Sequence, residues 1–226
     1  MQFAHLNVQG GRPSIYFPQD CSSFVPLRDF LSSFDPDRPE ATWIGLAGGE
    51  EVPVTKSHVV RARPNKHVLV EGKTKSFDFV VSERRHKLRT ECQGLSGREL
   101  ATLRAERGED AMTTTIEKPI LGYSADSPSL EPERWGGLQV LIHEATFLVP
   151  GESRGAHSNL PQVLEGARLA APGALILTHF SSRYSAAEIR EAVVAGCEAQ
   201  GIEFPVHVVF PGEIVRDVLR QAPVWP

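Results

Sequence analysis

The sequence predicts a layered α/β fold, and three observations support this assignment. Apolar strand-like runs alternate with amphipathic helical segments through the second half of the 226 residues. The composition is close to that of an average globular domain, with 41% apolar and 23% charged residues. No internal repeat or low-complexity segment divides the chain, so we expect one domain covering residues 1–226.

The first half is predicted to consist mainly of strands. Residues 14–18 follow a glycine-rich turn and end at a proline, which is typical of a short buried strand. Residues 26–34 are predicted to form a short helix. Alternating apolar and polar residues, rich in β-branched types, predict three consecutive strands at residues 58–63, 67–71 and 77–82.

The second half is predicted to alternate strands with helices. Four apolar runs predict buried strands, at residues 119–121, 140–142, 174–177 and 206–210. The first three strands are closely followed by a residue that can bind metal or transfer a proton, namely Asp126, His143 and His179. In α/β folds, ligands bind beyond the carboxyl ends of the strands, so these side chains are expected to meet at one edge.

Three helices are predicted between and around these strands. A polar helix is expected over residues 97–107, and a second helix over residues 159–171 after a Ser158 cap. The third, over residues 185–201, opens with a Ser185-x-x-Glu capping box. Its apolar residues recur at helical spacing, which indicates a face directed at the core.

Charge is distributed unevenly along a chain whose net charge is −4. The segment from Lys56 to Arg107 contains 13 of the 24 Lys and Arg residues but only 6 of the 28 Asp and Glu residues. A basic face on an acidic body would attract a phosphate backbone to one surface. A solvated basic hairpin and helix without a ligand is the alternative interpretation.

The cysteines and the N-terminal sequence exclude several classes of protein. Three cysteines, Cys21, Cys92 and Cys197, form no C-x-x-C pair, so neither a disulfide framework nor a thiolate zinc site is expected. No apolar run approaches the roughly 20 residues that span a bilayer, and the first residues do not resemble a secretory signal. We therefore expect a cytoplasmic protein.

A set of three histidines and one aspartate could carry metal chemistry. Asp126, His143, His157 and His179 offer imidazole and carboxylate ligands of the kind that suit Zn²⁺, Mn²⁺ or Fe²⁺. A metal held there would activate water, and a histidine outside the metal shell could protonate a leaving oxygen. Taken singly, each residue also has an ordinary structural interpretation, as a hydrogen-bonded histidine or a turn aspartate.

Several short motifs carry a resemblance to a known family. Residues 141–147 are Leu-Ile-His-Glu-Ala-Thr-Phe, and residues 177–184 are Leu-Thr-His-Phe-Ser-Ser-Arg-Tyr. Residues 156–158 are Ala-His-Ser, residues 122–127 are Gly-Tyr-Ser-Ala-Asp-Ser, and residues 83–100 contain RRHKL and GLSGREL. These strings resemble motifs of ribonuclease Z, the tRNA 3′-processing endoribonucleases of the metallo-β-lactamase superfamily.

The resemblance implies a fold and a reaction. It implies a metallo-β-lactamase-like αββα sandwich, of which this chain supplies the C-terminal two-thirds and is incomplete at the N-terminus. It also implies a zinc-dependent hydrolase that uses a metal hydroxide to cut an RNA phosphodiester in precursor tRNA. The alternatives are a catalytically impaired relative that binds RNA or pairs subunits, and another hydrolase of the superfamily.

The resemblance further implies roles for individual residues. Asp126 would bridge two zinc ions, His179 would be a terminal ligand, and His157 would protonate the leaving ribose oxygen. His143 and Glu144 would orient the site. His67 is the predicted mid-chain ligand because residues 60–67 resemble the family's V-x-AF-x-T-x-H strand end, with His58 and His86 as rivals. The residues expected to contact RNA phosphates are Arg84, Arg85, Lys87 and Arg89.

Two departures from the family pattern affect these expectations. Ala125 stands where the family has a glycine before the aspartate, so the backbone beside the metal is expected to differ. The family's His-x-His-x-Asp-His run is not found in the sequence, and His5 does not replace it. We therefore expect weak metal binding, an inactive isolated chain, and apolar faces that favour a homodimer.

Overall fold

The computed structural model describes residues 13–34, 41–152 and 155–226. Within these residues the chain forms four α-helices: α1 Phe24–Phe34, α2 Gly97–Arg107, α3 Leu160–Ala170 and α4 Ala186–Gln200. The same residues form eleven strands: β1 Ser14–Pro18, β2 Thr42–Leu46, β3 Glu51–Pro53, β4 His58–Pro64, β5 Leu69–Val70, β6 Lys73–Thr74, β7 Phe77–Leu88, β8 Thr113–Tyr123, β9 Val140–Glu144, β10 Leu175–Thr178 and β11 Val206–Val208. The mixed α/β architecture agrees with the predicted fold class.

A seven-stranded mixed sheet, in the order β11-β10-β9-β8-β7-β4-β3, organises the molecule. Strands β8, β9, β10 and β11 pair with one another in parallel. Strands β3, β4, β7 and β8 pair with one another antiparallel, so β8 joins the two halves of the sheet. Because β8, β9 and β10 are parallel, their carboxyl ends meet at one edge of the sheet. The residues that follow these strands are thereby brought together.

The main core lies between this sheet and helices α3 and α4. Leu141, Leu175 and Leu177 point from β9 and β10 into the core, where they are fully buried. Helix α4 contributes Ile189, Val193 and Cys197 at intervals of four residues, and helix α3 contributes a similar apolar face. Burial of each large aliphatic side chain stabilises the fold by about 1.5–3 kcal/mol, so this layer holds the strand ends in position.

The N-terminal part is less fully covered. Strands β1 and β2 form a separate two-stranded parallel sheet, and β1 alternates between half-buried and exposed residues. The prediction of a buried strand at residues 14–18 is therefore right about the strand and wrong about its burial. Helix α1 also exposes apolar side chains, including Phe30. Among the described residues, none of the helices has the length and apolar character needed to cross a bilayer.

Most of the predicted elements are present, with several differences. Strand β8 has eleven residues where residues 119–121 were predicted as a buried strand, and those three residues are only half-buried. Strand β11 ends at Val208, two residues before the predicted end. Strand β7 extends to Leu88, beyond the predicted range, and strands β2 and β3 were not predicted. The predicted strand at residues 67–71 is reduced to the two residues of β5. Helix α3 is capped by the Asn159 side chain and not by Ser158, whose hydroxyl donates to the Ser127 carbonyl. The predicted capping box at Ser185 is confirmed.

Candidate metal centre

Two of the predicted ligands lie at the shared edge formed by the parallel strands. Asp126 follows Tyr123, the last residue of β8, by three positions, and His179 directly follows β10. His179 Nε2 lies 3.5 Å from Asp126 Oδ1. Ala125 and His179 have φ angles of +50° and +62°, in the left-handed region that is uncommon for these residue types. Ala125 thus adopts a conformation that glycine would adopt more easily, and such strained residues cluster at functional sites.

The third predicted ligand, His67, approaches the same carboxylate from the turn between β4 and β5. His67 Nε2 lies 3.8 Å from Asp126 Oδ2. The other ring nitrogen, Nδ1, lies 2.9 Å from the carbonyl oxygen of Ala156 and donates to it. This hydrogen bond fixes the tautomer, because a proton on Nδ1 leaves the lone pair on Nε2 directed at Asp126.

His179 is held in the same manner through a hydroxyl group. Its Nδ1 lies 2.8 Å from Thr146 Oγ1, which itself lies 2.5 Å from Glu144 Oε2. The carboxylate can only accept, so the threonine donates to Glu144 and accepts from His179. His179 therefore also carries its proton on Nδ1 and its lone pair on Nε2.

This arrangement fits a divalent metal ion. Ligand atoms of His67, Asp126 and His157 all lie within 4.8 Å of one another, and so do those of Glu144, His157 and His179. Metal-binding histidines characteristically donate their second ring nitrogen to a carbonyl, carboxylate or hydroxyl partner, as the two predicted histidine ligands do. The donor set is suited to zinc or another borderline divalent ion.

Asn65 joins the two loops that carry His67 and Asp126. Its Nδ2 donates to the carbonyl oxygens of Ser124 at 3.2 Å and Asp126 at 3.1 Å. Its Oδ1 accepts from the backbone nitrogen of His67 at 3.2 Å and from the hydroxyl of Ser76. One amide side chain thus determines the separation of the two candidate ligands.

Glu144 anchors the remaining histidine. This carboxylate is almost completely buried and accepts four hydrogen bonds, which compensate for its loss of solvent. Oε1 accepts from the backbone nitrogen of Ser127 at 2.8 Å and from His157 Nδ1 at 2.9 Å. Oε2 accepts from the backbone nitrogen and the hydroxyl of Thr146. His157 is therefore held by an oriented acceptor, with its ring stacked on His179 at 5.2 Å and tilted by 58° against His67 at 4.9 Å.

His143 lies behind this cluster. It is fully buried within β9, and its Nδ1 donates to the backbone oxygen of Glu144 at 2.7 Å. Burial lowers the pKa of His143, and its interactions with Glu144 oppose that shift only in part. The side chain can therefore support Glu144, but it does not reach the open edge with Asp126 and His179.

The rival histidines lie elsewhere. His58 Nδ1 lies 2.9 Å from Thr55 Oγ1 at the start of β4, and His86 Nδ1 lies 3.4 Å from Thr115 Oγ1 on the β7–β8 hairpin. Neither joins the clusters of possible ligands found in the described part of the chain. His5 lies outside the described residues.

The basic residues of β7 have two different settings. Arg84 pairs with Glu117 at 3.0 Å and with Glu51, and these contacts raise its pKa. Arg85 is 74% exposed and pairs with Glu83 at 2.9 Å.

The other two predicted RNA-binding residues lie near the end of the same strand. Lys87 is exposed, and Arg89 Nε donates to the carbonyl oxygen of Thr113 at 3.2 Å. The contacts of Arg84, Arg85 and Arg89 are with carboxylates and a carbonyl of the β-strands, and not with the candidate metal ligands.

Two residues that contribute to the centre were not singled out from the sequence. Asn65 was seen only as part of a Pro-Asn turn, and Thr146 only as a letter of the HEATF motif. Their positions next to His67 and Glu144 were the available signal. Their contacts reach residues 59 and 33 positions away in the chain, which local patterns do not reveal.

Comparisons with known proteins agree with this geometry. No protein-family model matches the chain. The chain is 34% identical over 161 residues to the chloroplastic tRNase Z TRZ2 of Arabidopsis thaliana, a match that covers 67% of this chain and 44% of that protein. It is 29% identical over 194 residues to tRNase Z TRZ1 of the same plant, which covers 81% of this chain and 67% of that protein. The chain thus spans less than half of the first relative and two thirds of the second.

Solved structures with low sequence identity share the fold. The metallo-β-lactamase fold protein YhfI from Bacillus subtilis matches with a TM-score of 0.55 at 14% identity, over 94% of this chain and 67% of that chain. A diphosphatase of the PhnP family matches with a TM-score of 0.50 at 13% identity, over 93% of this chain and 61% of that chain. The chain is therefore a homologue of the plant tRNase Z proteins, and its fold is the metallo-β-lactamase fold.

Proposed function

We propose that the protein is a metal-dependent phosphodiester hydrolase that acts on RNA, with precursor tRNA as its substrate. The observation that carries this proposal is the approach of His67 Nε2 and His179 Nε2 to the Asp126 carboxylate, at 3.8 and 3.5 Å. Homology to the tRNase Z proteins and the shared fold imply that a divalent metal ion binds. The relatives named tRNase Z supply the substrate class.

Zinc is the metal that we propose for this site. His67, Asp126 and His179 would supply the donors, with each imidazole nitrogen close to one oxygen of the Asp126 carboxylate. When bound, the ion supplies the Lewis acidity that activates water as the nucleophile. The protein supplies orientation, because Ala156 and Thr146 each accept the Nδ1 proton of one histidine and keep its Nε2 towards the carboxylate.

His157 is the residue that we propose as the general acid. The bond from its Nδ1 to Glu144 Oε1, at 2.9 Å, directs the opposite nitrogen away from the buried carboxylate. Nε2 is the nitrogen from which we propose that a proton is delivered to a leaving ribose oxygen. Glu144 acts by positioning this ring, and His143 supports Glu144 from within β9.

Cleavage of a 3′-extended precursor tRNA in the presence of Zn²⁺ tests this function in a version of the protein that also carries a His-x-His-x-Asp-His segment, because the isolated chain is expected to be inactive. The expected products are a tRNA ending in a 3′-hydroxyl and a trailer beginning with a 5′-phosphate. Asp126→Ala and His157→Ala should each lower the cleavage rate by at least about 10²-fold, the lower range for loss of a general acid. His58→Ala is the matched control because its imidazole lies outside the cluster.

The outcomes separate the candidate functions. Unchanged cleavage by both variants would contradict the proposed roles of Asp126 and His157. Tight binding of the precursor without cleavage by any form of the protein would support the alternative of a non-catalytic RNA-binding relative. Hydrolysis of a small phosphodiester with no action on RNA would support a different hydrolase of the superfamily.

We also propose that the chain forms one domain, works in the cytoplasm and self-associates as a homodimer. The support for self-association is the exposed apolar surface of α1 and β5, where Phe30 is 58% and Leu69 is 78% exposed. Size-exclusion chromatography with light scattering should show a dimer that dissociates on dilution. A monomer at high concentration would contradict this part of the proposal.

A further inference from the structure

Strand geometry divides the basic run of β7 between two faces of the sheet. Directly paired residues on neighbouring strands share a face, and successive residues alternate. Arg84 is paired with Glu117 of β8, and Arg85 is paired with Ile116. Arg84 therefore belongs to the face that includes Glu117 and Glu51, and those two carboxylates neutralise it.

The opposite face of the hairpin carries basic side chains with much less compensation. Arg85 and Lys87 of β7 share this face with Lys118 of β8, which is paired with Glu83. These four residues line an open cavity of about 430 Å³, together with His86, Ile116 and Gln139. Glu83 is the only carboxylate in this lining and pairs with Arg85 at 2.9 Å, so the groove is net positive. We call the surface lined by these seven residues the basic groove.

The basic groove lies on the same strand that leads to the metal centre. Lys118 precedes Tyr123 by five residues on β8, a distance of about 17 Å along the strand at about 3.4 Å per residue. Tyr123 lies on the same face because the β7–β8 register shifts by one residue at Val81/Ser82, so that Tyr123 pairs with Phe79. Its ring is stacked on Phe79 and is 44% exposed. Asp126 follows three residues later. A chain lying in the basic groove could therefore extend past an exposed aromatic ring to the candidate metal ligands.

We infer that the basic groove binds the phosphate backbone of the RNA whose scissile bond lies at the metal centre. This inference rests on the proposed function and deepens it. Arg85 and Lys87, two residues apart on a strand, are about 6.8 Å apart along β7, which is similar to the spacing of adjacent phosphates in an extended strand. Lysine and arginine contacts of this kind position a nucleic acid without reading its sequence.

Lys118 and Arg84 differ in whether they belong to the basic groove. Lys118 is not part of the basic sequence run, yet cross-strand pairing brings it to the groove. Arg84 is central to that run, yet its guanidinium is directed to two carboxylates on the other face. Each loses one positive charge when changed to alanine, so the two variants form a matched pair.

Salt-dependent binding of a fluorescently labelled 3′-extended precursor tRNA tests the inference. Fluorescence anisotropy titrations at KCl concentrations from about 50 to 200 mM would compare Lys118→Ala and Lys87→Ala with Arg84→Ala. Each groove variant should weaken binding several-fold. Each should also reduce the slope of log K against log salt by about 0.7–0.9, the value for one lost phosphate contact. Arg84→Ala should leave that slope unchanged.

Three results would overturn the inference. One is an equal loss of slope in Arg84→Ala and Lys118→Ala, because net charge alone would then explain binding. Another is unchanged binding in both groove variants while the wild type still binds, which would put the RNA on a different surface and leave the proposed function intact. The third is competition by an acidic peptide that is as strong as competition by unlabelled RNA, because the groove would then bind acidic chains in general and not RNA. Absence of RNA binding by the wild type would instead contradict the RNA substrate of the proposed function itself.

Discussion

At the scale of single residues, the centre depends on which ring nitrogen of each histidine makes a hydrogen bond within the protein. The Nδ1 atoms of His67, His157 and His179 contact a carbonyl, a carboxylate and a hydroxyl, respectively. These contacts leave Nε2 of both predicted histidine ligands towards Asp126. Replacement of a residue that orients these ligands by hydrogen bonds should therefore change metal affinity even when every ligand is retained.

Asn65 provides the sharpest test at this scale. Asn65→Ala removes the amide that joins the loops of His67 and Asp126, so it should weaken Zn²⁺ binding by about 10–100-fold, the range for loss of an outer-shell partner. Ser76→Ala should have a smaller effect, because it removes only one donor to Asn65. Isothermal titration with Zn²⁺ measures both affinities. Unaltered affinity in Asn65→Ala, with normal thermal stability, would show that the amide does not position the ligands.

How far the sequence predicts these residues depends on the range of their contacts. Asp126 and His179 were recognisable because each lies in a short motif near a strand end, and His157 because it lies in the Ala-His-Ser string. Asn65 was not, because its amide acts on Ser124 and Asp126 through long-range contacts. The roles assigned to the motif residues remain predictions, whereas their convergence is a property of the fold.

At the scale of elements, local patterns predicted the helices and the buried parallel strands. The helix from Ser185 was predicted by its capping box, which acts within four residues. Strand β2 was missed because its partner is β1, 28 residues earlier, and no local alternation marks it. The end of β7 was missed because residues 83–88 are mostly charged, and only pairing with β8 keeps them extended.

Glycine substitutions test the packing of α3 against the segment that connects β8 and β9. A Cβ atom on Gly166 would lie 2.6 Å from the backbone oxygen of Leu130, so Gly166→Ala should destabilise the fold by about 1–3 kcal/mol. A Cβ on Gly97, in the first turn of α2, would meet no atom within 4 Å. Gly97→Ala should therefore be neutral or stabilising by less than about 1 kcal/mol. Urea unfolding measures both changes, and equal losses in the two variants would refute the close α3 contact.

At the scale of the whole molecule, stability should depend on pH through buried imidazoles. Burial lowers the pKa of His207 in β11 below its ordinary value. The unfolded chain therefore binds a proton near pH 6.5 that the native state still excludes, so stability is lost as the pH falls below about 6.5. The unfolding temperature of His207→Gln should consequently decrease less than that of the wild type between pH 7.5 and 5.5. Identical decreases would assign the pH dependence to other groups.

The arrangement of the whole sheet decides which basic residues share a surface. The positive excess between Lys56 and Arg107 was visible in the sequence, but the sheet alone determines which side chains share a face. Pairing of β7 with β8 places Arg84 among carboxylates, and it brings Lys118 and Arg85 to the same groove. The whole sheet thereby links the basic groove to the edge that holds Asp126.

The central claim is that Asp126 binds divalent metal together with His67 and His179. Crystals grown or soaked with Zn²⁺ and measured on both sides of the zinc absorption edge test it most directly. The account predicts an anomalous peak about 2.0–2.2 Å from an Asp126 carboxylate oxygen and from Nε2 of His67 or His179. A zinc peak bound elsewhere, or no peak at these three side chains at saturating Zn²⁺, would contradict it.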